Sequence, residues 1–237
     1  MSAIALTACG HKATQVSVPP PPPIEEAEKK PAPPVTKPDK TEEDAEGISV
    51  RPDAPVIFSQ TGIASWYGPP YHNRRASNGE VYNMHAMTAA HRTLPLGSVV
   101  RVTNVKTGST ALVKITDRGP FIQGRILDLS LAAAERLDVR RAGLATVRVD
   151  VLETPAPLDN GGKWAVQIGG FSNEHDANQL MEHLARRYHT ASVLHFQSPT
   201  GDWWVRVRVL GDDKKRAEEV ARDTHTEDGG VFLVRLD

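Results

Sequence analysis

The sequence predicts three regions in order: a segment that does not fold, a mainly β unit and an α+β unit. Three observations support this prediction. Residues 10–58 are rich in Pro, Glu and Lys and almost lack aromatic side chains, so they bury too little apolar surface to offset the entropy lost on ordering. Short alternating strands with Gly, Pro and Asn turns follow, and the C-terminal third shows strands and helices in the order βαββαβ.

Residues 1–9 end in the single cysteine of the chain, so an intramolecular disulfide is excluded. Cys9 follows Leu-Thr-Ala, which resembles the lipobox of bacterial lipoproteins, where the cysteine is lipidated. Acyl chains add roughly 0.8 kcal/mol of membrane affinity per buried CH₂. The residues before Cys9 carry no positive charge and too few apolar side chains for a complete signal peptide. Either the true start lies further upstream and Cys9 is a lipid anchor, which we expect, or the match is accidental.

The mainly β unit is predicted at residues 59–154. Its strand signals are GIASWY, SVVRVTNV, TALVKIT, RILDLS and ATVRVDVL. One helix is predicted over LAAAERL, with Ser130 as its N-cap. A unit of this size with mostly alternating strands and one short helix indicates a small closed barrel. Composition alone does not separate a double-psi topology from an OB-like one.

The α+β unit is predicted at residues 163–237, after a short Pro- and Gly-containing linker at 155–162. Its six elements are KWAVQIGGF, NEHDANQLMEHLARR, TASVLHF, DWWVRVRVL, DDKKRAEEVARDT and GVFLVRL. The order βαββαβ is that of a ferredoxin-like domain.

Charge is distributed unevenly over a chain whose net charge is -1. The β unit has 12 Lys and Arg against 7 Asp and Glu, whereas residues 161–237 have 10 against 12. A modest basic excess in the β unit suits an anionic or sugar-acid polymer, or is a solvated face. The acidic balance of the α+β unit argues against a nucleic-acid partner.

Four motifs in the β unit place polar side chains at turns or strand ends: SNGE, TAAHRTLPLG, TDRGPF and ILDLS. Asp117 in TDRGPF ends a strand that Gly119 and Pro120 then interrupt, which places the carboxylate at a barrel rim. An acid in that position suits proton transfer to the leaving oxygen of a polymer. Together the motifs resemble the rare lipoprotein A family, septal peptidoglycan lytic transglycosylases with a six-stranded double-psi β-barrel.

The resemblance implies catalytic roles for three side chains. Asp117 occupies the position of the family's proposed catalytic acid. Glu80 corresponds to a glutamate across the groove, which we assign to substrate positioning or transition-state charge, and His91 to a cleft histidine that hydrogen-bonds the aspartate and tunes its pKa. Local sequence alone also fits simpler roles: a turn cap or an ion pair with Arg118 for the aspartate, a solvated loop for the glutamate, and a structural hydrogen bond for the histidine.

Further residues of the β unit are candidates for substrate binding. Asp128 matches the family motif and is expected to line the cleft, and Ser130 matches it too, although its main role is expected to be the helix N-cap. Trp66, Tyr67 and Tyr71 either form a platform for sugar stacking or pack in the core.

The α+β unit resembles the SPOR domain in WAVQIGGFSNEHDANQL, in WWVRVRVL and in the order of its elements. Members of that family bind peptidoglycan glycan strands stripped of stem peptides and gather at division sites. The candidate glycan contacts are Gln167, Phe171, Trp203, Trp204 and Arg206. Since side chains alternate along a strand, one of the two adjacent tryptophans must face outward.

The resemblances imply a tethered lytic transglycosylase that cleaves the MurNAc–GlcNAc bond to 1,6-anhydro ends. It is expected to prefer strands without stem peptides and to act at the division septum, with division-site proteins as candidate partners. Gly10 after the cysteine favours lipid anchoring at the periplasmic face of the outer membrane over the inner one. The alternatives are a non-catalytic, expansin-like peptidoglycan-binding protein and a structural partner of the division apparatus. No cofactor is expected, and no metal, since the spacing of ligands typical of catalytic zinc is absent from the sequence.

Overall fold

The computed structural model describes residues 48, 50–51, 54–159, 161–189, 191–226 and 229–237. Cys9 and most of the predicted linker lie outside the described residues. The end of that linker contacts the barrel: Val50 is 5% exposed and packs with Leu112 and Leu152. No helix in these ranges is long and apolar enough to cross a membrane.

The first domain is a closed six-stranded barrel with the strand order β1-β5-β2-β4-β3-β6. Its strands are β1 (Phe58–Trp66), β2 (Thr88–His91), β3 (Val99–Asn104), β4 (Thr110–Asp117), β5 (Arg125–Leu129) and β6 (Ala145–Glu153). β1 pairs with β5 and β2 with β4 in parallel, while the other pairs are antiparallel. The predicted six-stranded double-psi barrel is confirmed.

Alternating valines fill the barrel, and one helix covers part of it. Val100 and Val102 of β3 are fully buried, as the alternation in SVVRVTNV predicts. Helix α1 (Leu131–Arg136) begins where Ser130 Oγ accepts a hydrogen bond from the Ala133 backbone N–H at 3.2 Å, so the predicted N-cap is present.

Strand β2 is the element that the sequence signals do not show. Its residues, TAAH, lack the alternating β-branched pattern by which the other strands are predicted. Ala89 and Ala90 are buried because β2 lies between β4 and β5 and pairs with both. Tertiary pairing, not intrinsic propensity, therefore makes this segment a strand.

The second domain is a four-stranded antiparallel sheet with two helices, and the predicted βαββαβ order is confirmed. Its elements are β7 (Trp164–Phe171), α2 (Glu174–Arg187), β8 (Ser192–Gln197), β9 (Trp203–Arg208), α3 (Lys214–Asp223) and β10 (Gly230–Arg235). The spatial order of the strands is β10-β7-β9-β8. Asn173 and Asp213 cap the two helices through their side chains.

The two faces of this sheet have different partners. One face packs on the helices, with Val166, Ile168, Val205 and Val207 in a shared core with Leu184 and Val220. The other face carries Trp204, Phe232 and Val234, which pack with Phe121 of the barrel domain. Period-two alternation along β7, β9 and β10 thus directs the second set of side chains toward the barrel.

Candidate active site

A cavity of about 580 Å³ lies where the rim of the barrel meets the second face of the C-terminal sheet. The barrel contributes Tyr67, Tyr71, Tyr82, Asp117, Arg125 and Asp128 to its wall, and the C-terminal domain contributes Gln167, Phe196, Trp204 and Arg206. The wall therefore combines carboxylates, arginines and aromatic rings, which are the groups that bind sugars and acidic sugar derivatives.

Asp117 is the last residue of β4, and its carboxylate faces this cavity. The strand ends here because Gly119, with φ +143°, lies in a conformation that favours glycine, and Pro120 follows it. Oδ1 of Asp117 accepts three hydrogen bonds: from the Ser77 backbone N–H (3.0 Å), the Ser77 hydroxyl (2.5 Å) and the Arg118 backbone N–H (2.8 Å). Oδ2 accepts none from the described residues. One oxygen is thus held in place while the other can meet a substrate.

The guanidinium of Arg118 does not form an ion pair with Asp117. It donates instead to the backbone oxygens of His91 (3.0 Å), Leu94 (2.6 Å) and Asp237 (2.6 Å). Burial lowers the pKa of Arg118 to about 10. The Arg118 side chain therefore anchors the turn after Asp117 to the surrounding backbone. Of the two roles that local sequence suggested for Asp117, the ion pair is absent, and the turn cap is present as the hydrogen bond from the Arg118 backbone N–H.

Asp128 is a second carboxyl group in the cavity, as predicted. Oδ1 accepts from the Ser65 hydroxyl at 2.6 Å, and Oδ2 lies 3.3 Å from a nitrogen of Arg125. Burial is the main cause that raises the pKa of Asp128, and the charge of Asp117 acts in the same direction. The site therefore contains two acids in different environments.

Glu80 lies in the turn beside this site but does not line the cavity. Its side chain is exposed and accepts a hydrogen bond from the Asn78 amide at 2.8 Å. The Glu80 backbone oxygen accepts from Ala76 N–H at 2.8 Å, which closes the turn that carries Ser77. Its predicted role in catalysis stays a prediction, and the present geometry connects it to Asp117 only through this turn.

The structure corrects the expected hydrogen bond between His91 and Asp117. The His91 ring is buried, with Nε2 3.2 Å from Gln60 Oε1 and Nδ1 accepting from the backbone N–H groups of Thr93 (3.2 Å) and Leu94 (3.0 Å). Burial, aided by nearby arginines, lowers the pKa of His91 to about 3. The short strand β2 directs the His91 side chain inward. The neutral ring therefore has a structural role, since it accepts hydrogen bonds from the loop that follows the strand.

Two of the three aromatic residues considered for sugar stacking line the cavity, and stacking on a sugar stays a prediction. Tyr67 and Tyr71 line the cavity with ring centroids 5.7 Å apart, and Tyr82 stacks on Tyr67 at 4.4 Å. Burial raises the pKa of Tyr67 and of Tyr82, so both hydroxyls keep their protons near neutral pH. Trp66 instead packs against the barrel core.

The C-terminal candidates divide between the two faces of the sheet. Gln167, Trp204 and Arg206 line the cavity. Phe171 and Trp203 pack with the core between the sheet and the helices. Of the two adjacent tryptophans, Trp204 is therefore the one that faces away from that core. In the barrel domain, Ser130 is fully buried, where it caps α1 and donates to the Ala86 backbone oxygen at 2.6 Å.

Sequence reasoning did not single out several residues of the cavity wall, among them Ser77, Tyr82, Arg125 and Phe196. Ser77 precedes an Asn-Gly turn, a signal for a tight turn that does not reveal which distant strand end the turn meets. Across the described ranges, no cluster of three or more His, Cys, Asp or Glu residues could hold a metal ion.

Comparison with known proteins agrees with this geometry. Residues 59–149 match the family model described as lytic transglycolase, and residues 160–230 match the SPOR domain model. The chain is 40% identical over 190 residues to the endolytic peptidoglycan transglycosylase RlpA of Helicobacter pylori strain J99, covering 68% of this chain and 59% of that protein. It is 42% identical over 137 residues to the protein of the same name from Neisseria meningitidis serogroup B, covering 57% of each.

The relative from Campylobacter jejuni, also named endolytic peptidoglycan transglycosylase RlpA, is covered most fully of these three. It is 35% identical over 200 residues, which are 73% of this chain and 71% of that protein. The chain spans less than two thirds of the length of the Helicobacter and Neisseria relatives. The motifs, the closed barrel, the C-terminal sheet and this shared length together show that the chain belongs to the rare lipoprotein A (RlpA) family.

Proposed function

We propose that this protein is a lytic transglycosylase that cleaves the glycan strands of peptidoglycan. The observation that carries this proposal is the Asp117 carboxylate, with one oxygen held by three donors and the other available in a cavity walled by tyrosines and arginines. The names of the relatives and the match to the lytic transglycolase family model support the same activity.

The chemistry needs one group that first donates and then accepts a proton. Asp117 protonates the glycosidic oxygen as the bond from C1 of N-acetylmuramic acid to that oxygen breaks. The C6 hydroxyl of the same sugar bonds to C1, and its proton passes to the Asp117 carboxylate. The products are a 1,6-anhydro end and a new glucosamine hydroxyl, and no water is consumed. A positioned acid of this kind contributes about 10²–10⁴-fold to the rate.

Asp128 is the alternative carrier of the proton, because burial raises its pKa. Its hydrogen bonds from Ser65 and Arg125 occupy both of its oxygens, whereas Asp117 keeps one available. We therefore assign the proton transfer to Asp117 and the stabilisation of positive charge on the sugar ring to Asp128.

Mass spectrometry of peptidoglycan digests tests the activity. We expect the full chain to release anhydro-muramyl products and the Asp117→Asn variant to release none. Asp138→Asn is the matched control, because Asp138 is exposed, lies outside the cavity and has a φ of 58°, which asparagine tolerates well. Reducing ends in place of anhydro ends would refute the transglycosylase. Binding without cleavage by the wild type would favour the expansin-like alternative.

We also propose that strands without stem peptides are the preferred substrate, and the SPOR match supports this. Comparing intact peptidoglycan with amidase-treated peptidoglycan in the same digest measures the preference, and equal rates would contradict it.

Lipid anchoring at Cys9, enrichment at the septum and contact with division-site proteins are further proposals, supported by the lipobox-like residues and the family membership. If Cys9 is lipidated in the cell, Cys9→Ala moves the protein from the membrane fraction to the soluble fraction. An unchanged distribution would contradict the anchor.

A further inference from the structure

Both domains line the cavity that contains Asp117. We propose that a single short glycan segment is bound by the barrel and the C-terminal domain at once, with Arg206 binding a carboxylate of that segment. The C-terminal domain is then part of the substrate cleft and not a separate anchor on the polymer. This inference rests on the proposed function, because the ligand of the shared cleft is the glycan that the proposed enzyme cleaves.

An apolar contact holds the sheet at the rim of the barrel. The Phe121 ring lies 5.4 Å from the Trp204 ring and 5.8 Å from the Phe232 ring, measured between centroids. Trp204 and Phe232 are 8% and 5% exposed. The guanidinium of Arg92 lies 5.5 Å from the centroid of Phe232. Phe121 is four residues after Asp117, so this contact fixes the sheet beside the carboxylate.

Polar contacts join the same two regions. Arg118 donates to the Asp237 backbone oxygen at 2.6 Å, and the Leu96 backbone N–H donates to that oxygen at 3.1 Å. The Arg235 backbone N–H donates to the Arg92 backbone oxygen at 3.0 Å. The residue that follows Asp117 thus hydrogen-bonds directly to the C-terminal domain, which limits relative motion at the cavity.

Arg206 presents a cation to the cavity without a carboxylate beside it. Its guanidinium donates two hydrogen bonds to Gln167 Oε1, at 3.2 and 2.6 Å, and lies 5.1 Å from the Phe196 ring centroid. Both partners are uncharged, and no ion pair joins Arg206 to an acidic side chain in the described part of the chain. Burial lowers the pKa of Arg206. A partly buried cation in this setting is stabilised by an anionic ligand.

The charge of the cavity wall indicates which glycan suits it. Its basic side chains outnumber its acidic ones: Arg74, Arg75, Arg118, Arg125 and Arg206 against Asp117, Asp128 and Asp202. N-acetylmuramic acid carries a lactyl carboxylate that is free only when the stem peptide has been removed. The substrate class that fits is therefore a glycan with free lactyl carboxylates, and both domains contribute aromatic rings to the cavity wall.

A short substrate distinguishes a shared cleft from a separate anchor. A tetrasaccharide of two stripped disaccharide units can occupy the cavity but cannot bridge two distant sites. We expect Arg206→Gln to raise KM for the tetrasaccharide at least tenfold and to change kcat less than twofold. Arg208→Gln is the matched control, since Arg208 is two residues further along β9, pairs with Asp212 at 2.6 Å and lies outside the cavity. Unchanged tetrasaccharide kinetics in Arg206→Gln, with slower digestion of long strands only, would overturn the shared cleft.

A second experiment tests whether Arg206 binds the lactyl carboxylate of the substrate. Converting the lactyl carboxylates of the tetrasaccharide to amides should raise the wild-type KM to the value of Arg206→Gln and leave the variant unchanged. Equal KM values for both substrates with the wild type would overturn the assignment of Arg206. Thermal unfolding of both variants confirms that they fold.

Failure of the proposed function is distinguishable from failure of this inference. If the wild type cleaves no glycan, calorimetry with the tetrasaccharide still measures binding. A single site weakened by both Arg206→Gln and Tyr71→Ala supports the shared cleft. Two sites, each weakened by only one of these variants, overturn it.

Discussion

The barrel and the C-terminal domain present their charged side chains to the shared cavity in opposite ways. In the barrel, Asp117 and Asp128 each have donors that fix one or both oxygens. On the C-terminal sheet, the partners of the Arg206 guanidinium among the described residues are the neutral Gln167 and the Phe196 ring. Proton transfer requires a preoriented group, whereas anion binding requires a charge that is not already compensated. The two domains are thus suited to chemistry and to recognition, respectively.

The largest expected effect separates the two acids of the barrel. Asp117→Asn should lower kcat by about 10³-fold or more, because an amide cannot donate and then accept the proton that we assign to Asp117. Asp128→Asn should lower it by less than about 10²-fold, since a neutral amide still accepts from Ser65 but no longer stabilises positive charge. Steady-state rates on stripped glycan check this order. The reverse order would assign the proton transfer to Asp128.

Replacing Arg118 should weaken the polar connection between the two domains. Arg118→Met removes the three hydrogen bonds that the guanidinium donates to the backbone oxygens of His91, Leu94 and Asp237, and we expect it to reduce the free energy of unfolding by about 2 kcal/mol. Urea denaturation measures this. Arg140→Met is the control, because Arg140 is exposed and its side chain pairs with the exposed Glu135. A loss equal to that of the control would show that the connection contributes nothing.

The buried His91 should make the barrel sensitive to acid. Its pKa of about 3 in the folded state lies below the usual value of about 6.5, so the unfolded state binds the proton first. The stability it contributes is complete above about pH 6.5 and is lost as pH falls toward 3. Between pH 7 and 5 this group should account for a loss of about 2 kcal/mol.

Denaturation at the two pH values, with His91→Gln beside the exposed His183→Gln, measures that loss. Between pH 7 and 5, the free energy of unfolding should fall less in His91→Gln than in the wild type and in His183→Gln, because the titrating group is absent from His91→Gln. The same decrease in all three proteins would show that His91 does not titrate in this range.

The smallest expected effect concerns the apolar contact between the domains. Phe121→Ala removes a half-buried ring from Trp204 and Phe232 and should cost about 1.5 kcal/mol of stability. It should also raise KM for the stripped tetrasaccharide, because the sheet is no longer held beside Asp117. Val105→Ala, at a residue 58% exposed, should change neither quantity. Unaltered tetrasaccharide kinetics in Phe121→Ala would show that the contact does not shape the cleft.

Local sequence predicted most of the elements and the position of Asp117 for identifiable reasons. Alternating valines mark β3 and β6, and Gly119 with Pro120 marks the end of β4. Strand β2 was not predicted, because its alanines show no such pattern. The direction of the His91 side chain was not predicted either, since the orientation of a side chain in a short strand depends on how the neighbouring strands pair with it.

The sequence by itself determined the two domains, the order of their elements and the carboxylates and arginines available for chemistry, because periodicity and turn residues act over a few positions. Only the tertiary structure decided which of those groups meet. It joined Ser77 to Asp117, forty residues apart, turned Trp204 toward the barrel and Trp203 toward the helices, and brought Arg206 to the cavity that contains Asp117. Such contacts depend on strand pairing and on the packing of one domain against the other, which no local pattern encodes.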